Sequence, residues 1–414
     1  MNILFFIAAM ISSMSLLGWL YLTIGRGRFW KTDQYLQLSS IGKNGNVLWP
    51  SVNVVIPARN EADVIQRTLP TLLKQNYSGL FHVFLIDDCS GDNTGEIAQR
   101  VAHDTNTAHR LTVIPGRPPA SGWTGKTWAL EQGVETGRKR PCEFFLFTDA
   151  DIAHTPKSLQ SLIHKALAED LDLVSLMVQL NVENIWEHLL IPAFVYYFAK
   201  LYPFRWVNDP VKQTAAAAGG CVLLSRTALE RTGGLKQIAG ALIDDCALAK
   251  QIKGQPNKQR GKIWLGLSRE LHSLRHYNGL SGIWQMVSRT AYTQLNYSPF
   301  LLAVTILAMT LIYLVPPFGS VVGLVMLCQN GDITVGCWLT ASSLISWVIM
   351  ARTFLPILKW YRISSSFAFL LPLAGMLFTL MTIDSALIYR AGQGVAWKGR
   401  FYNQEIQQDP TDLI

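Results

Sequence analysis

Charge is scarce in this chain. Of its 414 residues only 15 % are Asp, Glu, Lys or Arg, whereas 50 % are hydrophobic. With a positive mean hydropathy, that balance argues against a wholly soluble protein. Cysteine is sparse and unpatterned. Cys89, Cys142, Cys221, Cys246, Cys328 and Cys337 include no Cys-x-x-Cys spacing and have no matching histidine cluster, which argues against a zinc site and a disulfide framework and leaves reduced thiols. The net charge of +8 is accompanied by no basic helix and no basic-aromatic ladder. Nucleic acid is therefore not an expected partner, and lysines and arginines at a membrane surface account for the excess. A secretory signal is also missing: there is no basic leading region and no small-residue cleavage site before the first apolar run.

That first run, Ile3 to Ile24, carries no charge and is long enough to cross a hydrocarbon layer of about 30 Å. We read it as a retained anchor (1–25). Arg26, Arg28 and Lys31 follow, so the excess of positive charge on the inner side places the next domain in the cytoplasm. A polar linker (26–50) leads into Val52-Asn53-Val54-Val55-Ile56-Pro57, an apolar strand. Further strands are expected at Phe81 to Ile86, Leu111 to Ile114 and Phe144 to Phe147, separated by helical patterns. Such alternation indicates βαβ units and a mostly parallel sheet.

Three of the four strands stop at polar or acidic residues, which would gather on one sheet edge. The most telling stop is Phe144-Phe145-Leu146-Phe147-Thr148-Asp149-Ala150-Asp151. Four large apolar residues read as a strand buried on both faces. Two carboxylates one residue apart at its carboxyl end can bracket a hard divalent cation and leave positions for a diphosphate, although Asp-x-Asp also occurs in solvated turns. Asp88, after the second strand, could accept from a base or ribose, or serve its own turn. Ser121-Gly122-Trp123-Thr124-Gly125-Lys126-Thr127 invites a P-loop reading, but Ala120 stands where that motif needs glycine. Lys126, opening a helix, can still meet a phosphate as a point charge.

The set Val55-Ile56-Pro57-Ala58-Arg59-Asn60-Glu61, Asp87-Asp88-Cys89-Ser90, Gly125-Lys126 with Ala129-Leu130, and Thr148-Asp149-Ala150-Asp151 resembles the GT-A nucleotide-sugar domain of family 2 glycosyltransferases. The resemblance implies an α/β fold: a GT-A (Rossmann-like), mostly parallel sheet, here over 51–298, with N-terminal and C-terminal transmembrane helices. It implies a nucleotide-sugar donor, expected to be a UDP-sugar, held by Pro57, Ala58, Glu61, Asp88, Lys126, Asp149 and Asp151. Asp149 and Asp151 would bind Mg²⁺ or Mn²⁺. An acidic pair is expected about ninety residues further on, and Leu242-Ile243-Asp244-Asp245-Cys246 supplies it, with Asp-Asp in place of the usual Glu-Asp. By that match Asp245 is the general base of an inverting displacement, a role compatible with helix capping. The small residues Ala215 to Gly220 let backbone approach a ligand closely.

Processive members of the family carry Gln-x-x-Arg-Trp. Here Trp284-Gln285 and Arg289 stand without the second tryptophan, which argues against polysaccharide extrusion and leaves Arg289 as a candidate at the diphosphate. Ile185 to Trp206 and Gly282 to Tyr297 are aromatic-rich, and are either interfacial helices that admit an acceptor from the bilayer or buried helices of the catalytic domain. Three apolar stretches follow within 299–389, at about Phe300 to Leu327, Val335 to Leu358 and Phe367 to Ile388, before a tail (390–414). Three crossings would put the tail outside, yet Arg390, Lys398 and Arg400 look cytoplasmic. That conflict points to a re-entrant stretch, either the first, where Pro316-Pro317 breaks the pattern, or the last, which contains Asp384.

Trp397-Lys398-Gly399-Arg400 resembles a motif after the last span of many membrane glycosyltransferases, and equally suits an interfacial anchor. Across nearly its full length the chain is most similar to the hopene-associated (hopanoid biosynthesis) glycosyltransferases of bacteria. That likeness implies transfer to a membrane lipid, with a hopanoid among the candidates, by a multi-pass protein of the inner membrane. A polyprenyl-phosphate or ceramide-type sugar transferase would share the motifs, and a catalytically silent scaffold would share the fold.

Overall fold

The computed structural model describes residues 3–37, 48–254, 260–329, 332–392, 395–397 and 400–402. The chain divides into two compact units that interleave along the sequence. One comprises Gln34–Asn181 and Trp206–His276 with the C-terminal residues, and the other Met1–Asp33, Val182–Arg205 and Tyr277–Ala391.

The first unit is built on an eight-stranded sheet. Its strands are β1 (Val52–Ala58), β2 (Phe81–Asp87), β3 (Leu111–Pro115), β4 (Phe144–Thr148), β5 (Ile152–His154), β6 (Leu173–Gln179), β7 (Cys221–Ser225) and β8 (Ile263–Ser273). The spatial order is β3-β2-β1-β4-β7-β6-β8-β5. β1 to β4 are mutually parallel, β7 runs against both β4 and β6, β6 and β8 are parallel, and β5 runs against β8. This is a GT-A, Rossmann-like mixed sheet with mostly parallel strands. Every residue of β1 and β4 is buried, which explains why those stretches are mostly apolar and do not alternate, the exception inside β1 being Asn53, whose Nδ2 donates to the Gly137 carbonyl at 2.8 Å. The first strand runs one residue beyond its proline, because Pro57 closes the run without interrupting its pairing with β2.

The helix Gly125–Gly137 covers β1 and β2 at very short range. A Cβ at Gly133 would stand 2.3 Å from Val55 Cγ1 and 2.8 Å from Ile86 Cδ1. Gly133→Ala is therefore expected to cost about 1–3 kcal/mol, read as a lowered midpoint in thermal or denaturant unfolding. An unchanged midpoint would show that this face tolerates more space than its geometry implies.

Among the described residues of the second unit, four helical segments are long and apolar enough to cross a membrane: Phe5–Ile24, Pro299–Cys328, Ile333–Trp360 and Ser365–Arg390. Small residues let neighbouring helices approach. A Cβ on Gly319 would lie 2.2 Å from Ser343 Oγ, and one on Gly323 would lie 2.3 Å from Thr340 Oγ1, so a Gly-x-x-x-Gly face meets Ile333–Trp360. Ser12 Oγ is 2.6 Å from Ser342 Oγ, and Trp19 Nε1 donates to the Ile312 carbonyl. The expected break at Pro316-Pro317 takes another form. The segment stays helical from Pro299 to Cys328, with a π-helical turn at Thr310–Leu314 just before the prolines, where a wider turn relieves the carbonyls that the rings would crowd.

The aromatic-rich stretches fall in this second unit, as the helices Ile185–Leu201 and Gly279–Ser288, and not in the sheet unit where the linear boundary 51–298 placed them. Asn184 and Glu187 form a capping box that starts the first of them. The linker is divided. Residues 26–33 join the helical unit, Tyr35 and Leu36 dock on Leu267 of β8, and 38–47 lie outside the described residues. In the tail, β9 (Val395–Trp397) pairs antiparallel with β10 (Arg400–Tyr402), while Lys398 and Gly399 also lie outside them.

Candidate functional site

Strand register assembles one edge of the sheet. Ala58 pairs with Asp87 across β1 and β2, and Val55 with Phe147 across β1 and β4, so the carboxyl ends of these three strands lie side by side. β7 is antiparallel, with Cys221 opposite Thr148, and so it is its beginning, Gly219-Gly220, that reaches the same edge. The turns after β1 and β2 are knitted together. Arg59 Nη1 donates to the Asp88 carbonyl at 2.6 Å, Asn60 N to Ser90 Oγ at 3.0 Å, and Ala62 N to Asp92 Oδ2 at 2.9 Å. Asp87, adjacent to the expected Asp88, accepts from Ser90 N and Gly95 N and so shapes the second turn.

Pro57 and Ala58 are the buried last residues of β1. Asp88 is fully enclosed, and its backbone N–H donates to Ala58 O at 2.8 Å. The Glu61 side chain, 10 % exposed, pairs with Arg275 at 2.8 Å. Arg275 also reaches Asp151 Oδ2 at 3.3 Å. It can do so because β5 pairs with β8, Ile152 opposite Ser273, which sets the end of β8 against the Asp-x-Asp turn. Ser273 Oγ donates to the same Asp151 oxygen at 2.6 Å, and Leu274 N to the Asp151 carbonyl at 2.9 Å. Neither Ser273, the last residue of β8, nor Arg275, two residues past it, belongs to any motif in the sequence.

Lys126 is in the first turn of its helix, whose N-cap Thr124 accepts from Thr127 N. Its ammonium lies 2.9 Å from Asp149 Oδ1 and 3.6 Å from Asp244 Oδ2. Burial works against the charged ammonium, yet Asp149, Asp244 and Asp245 together hold its pKa above the usual lysine value. Asp245 sits in the first turn of the helix Asp244–Lys253, where its Oδ1 accepts from Cys246 N at 2.7 Å. Gly219 packs against this pair: a Cβ there would stand 3.1 Å from Lys126 Nζ and 3.2 Å from Asp245 Oδ2. The small-residue run thus makes room for the site's own side chains. Behind them a pocket is lined by Pro57, Leu130, Phe147, Gly219, Asp244 and Asp245, among others.

Burial and the neighbouring Asp244 push the Asp245 carboxyl up to about 6, against the pull of Lys126 and of the Cys246 and Gly219 backbone N–H groups. Asp149 is also raised, first by burial, with Lys126 opposing and Asp151 adding to the rise. A carboxyl near 6 is poised to take a proton at neutral pH.

The acidic residues Glu61, Asp149, Asp151, Asp244 and Asp245 outnumber the partners Lys126 and Arg275. Among the described residues no group of three or more His, Cys, Asp or Glu side chains could hold a metal ion. Asp149 and Asp151 nevertheless offer two hard oxygen donors amid excess negative charge, which fits a divalent cation whose remaining ligands come from a diphosphate and water. Of the expected donor residues, Arg289 lies in a different stretch of the fold. It belongs to the helical unit, at the end of the helix Gly279–Ser288.

Residues 53–233 match the family described as Glycosyl transferase family 2. A curated relative, an N-acetylglucosaminyltransferase of Rhizobium leguminosarum bv. viciae, is 26 % identical over 117 residues, which is 28 % of this chain and 25 % of that protein. Another, named "Probable glycosyltransferase YdaM", from Bacillus subtilis (strain 168), is 30 % identical over 133 residues, 32 % of this chain and 30 % of that protein. The chain therefore spans under a third of the length of these two relatives. Among solved structures, the mannosyltransferase PcManGT from Pyrobaculum calidifontis, in complex with GDP-Man and Mn2+, superposes with a TM-score of 0.51 at 16 % identity, covering 92 % of this chain and 98 % of that one. At that identity the likeness speaks for the fold. Sheet order, the acidic edge and the family match agree on one statement: residues 53–233 match a glycosyltransferase family 2 domain, carried on a GT-A fold.

Proposed function

We propose that the protein transfers a sugar, with inversion, from a nucleotide-sugar donor to a hydroxyl of a membrane lipid. The observation that carries this reading is the meeting of Lys126, Asp149, Asp244 and Asp245, from three separate stretches of chain, around one small pocket at the sheet edge. The knitted turns of β1 and β2, with Pro57, Ala58, Glu61 and Asp88, would seat the nucleoside. Asp149 and Asp151 would hold Mg²⁺ or Mn²⁺. Bound there, such an ion supplies positive charge to the departing diphosphate.

Asp245 then removes the proton from the acceptor hydroxyl as that oxygen bonds to the anomeric carbon. The bond from that carbon to the diphosphate oxygen breaks, and its electron pair leaves with the nucleoside diphosphate. Lys126, held in the ligand-free site by Asp149 and Asp244, would turn to the diphosphate and offset the charge that develops on the leaving group. One displacement on one face inverts the configuration.

The apolar helices near 1–25 and within 299–389 would keep the domain at a bilayer, where a lipid acceptor is at hand. The family resemblance makes a hopanoid the first acceptor class to try, and a UDP-sugar the first donor, with GDP-mannose included because it is bound in the PcManGT structure.

The test is a donor screen on the full chain in lipid nanodiscs with Mn²⁺ or Mg²⁺, reading nucleoside diphosphate release against a panel of hopanoid, polyprenyl-phosphate and ceramide acceptors. Release that requires both a donor and one lipid class is expected. Donor binding without release or transfer under every combination would mark a silent scaffold and overturn the proposal.

A further inference from the structure

Both carboxylates of the Asp-x-Asp pair are already engaged by basic side chains of the protein itself: Lys126 Nζ on Asp149 Oδ1 at 2.9 Å and Arg275 Nε on Asp151 Oδ2 at 3.3 Å. We infer that these two ion pairs guard the cation seat, so that a free divalent ion is held off until a diphosphate draws Lys126 and Arg275 away, and metal and nucleotide enter together. This rests on the proposed donor site and adds the order in which that site fills.

The physical case is one of competition. A divalent cation must bring carboxylate oxygens to about 2.0–2.6 Å, inside the space the ammonium and guanidinium occupy. It would also come into contact with two positive charges. The side chains of Asp151 and Glu61 are only 8 % and 10 % exposed, so the carboxylate side of each Arg275 pair is shielded from water while the 38 % exposed arginine faces it. A diphosphate reverses the balance. It brings more negative charge than either carboxylate, matches the planar fork of arginine, and takes lysine as a point charge.

Arg275 is placed to make that exchange. Its side chain is 38 % exposed and can turn without unpacking the core, while Ser273 keeps its own hydrogen bond to Asp151 and preserves the carboxylate's orientation. Arg275 also joins Glu61, at the turn after β1, to Asp151, after β4. Its release therefore couples the nucleoside side of the site to the metal side.

Coupling between two ligands is reciprocal and commonly amounts to 5–150-fold. The experiment is Mn²⁺ binding to the full chain in detergent, followed by the electron paramagnetic resonance signal of free Mn²⁺, with and without GDP or UDP. For the unaltered protein we expect weak Mn²⁺ binding alone and at least about tenfold tighter binding with one of the nucleotides. Arg275→Gln should tighten nucleotide-free Mn²⁺ binding several-fold, weaken nucleotide binding, and shrink the coupling between them.

Arg275→Lys, which keeps the charge, should retain weak nucleotide-free binding, and this arm stands if the glutamine variant fails to fold. Equal Mn²⁺ affinity with and without nucleotide in the unaltered protein would overturn the inference and leave the donor-site reading intact. Unchanged nucleotide-free affinity in Arg275→Gln would overturn it too. Absence of Mn²⁺ binding under all conditions would overturn the donor-site reading along with it.

Discussion

Asp245→Asn is expected to lower the rate of sugar transfer by about 10²–10⁴-fold, the usual worth of a general base, while donor affinity stays within about twofold of the original. The amide keeps an oxygen for Cys246 N and so preserves the start of its helix. What it loses is the ability to take a proton. In the unaltered protein, rate should fall as pH drops through about 6, because the carboxyl must be ionised to act and burial has raised it to that value. The residual rate of the asparagine variant should lack this limb.

The same shift fixes the sign of a stability change. A carboxyl held above its unfolded value of about 3.9 binds its proton more tightly in the folded state, so its favourable contribution is present at low pH and is lost as pH rises through about 6. At neutral pH the ionised group destabilises the fold, and Asp245→Asn should raise the melting temperature while it removes activity. Transfer at the original rate, or donor binding lost in parallel, would remove Asp245 from the role of base.

Much of this site could be read from the sequence because apolar runs end where chemistry begins. Phe144 to Phe147 is buried on both faces, and the residues just past it, Asp149 and Asp151, lie at the edge that every parallel strand shares. Lys126 was legible through its place at the start of a helix. Arg275 and Ser273 were not, because their roles depend on β5 pairing with β8 across more than a hundred residues, and local pattern says nothing about such a register. The turn-shaping role of Asp87 is equally invisible to local pattern, since it depends on how the turn after β2 brings Ser90 N and Gly95 N to its carboxylate. The prolines at 316–317 misled for a related reason: they mark a change in helical pitch, and pitch can widen without ending the helix. The helix Ile185–Leu201 shows the limit of linear boundaries, since a segment inside the span of one domain can pack into another.

Lys126→Met is the harsher test of the charge arrangement, and it should move three observables together. The ammonium is the cation in contact with Asp149 and Asp244, and it also holds Asp245 below the value burial alone would give. The Lys126 and Asp149 side chains are 21 % and 35 % exposed, so removing the lysine should cost less than the loss of about 3–5 kcal/mol typical of a fully buried pair, and proton uptake by the stranded carboxylates would recover part of that. A lower melting temperature at neutral pH is expected, with the loss reduced in mild acid. The acid limb of the rate profile should move above 6, because the group that opposed burial is gone. Turnover should fall by about 10²–10³-fold, the scale of losing one preorganised charge on a leaving group. Lys126→Arg should not restore it: a Cβ placed on Gly219 would already stand 3.1 Å from Lys126 Nζ, so a longer, planar guanidinium has little room to reproduce the ammonium's place as a point charge. A limb that stays at its original pH in Lys126→Met would mean that Asp245 titrates independently of the lysine, and the coupled site described here would then be two unrelated clusters.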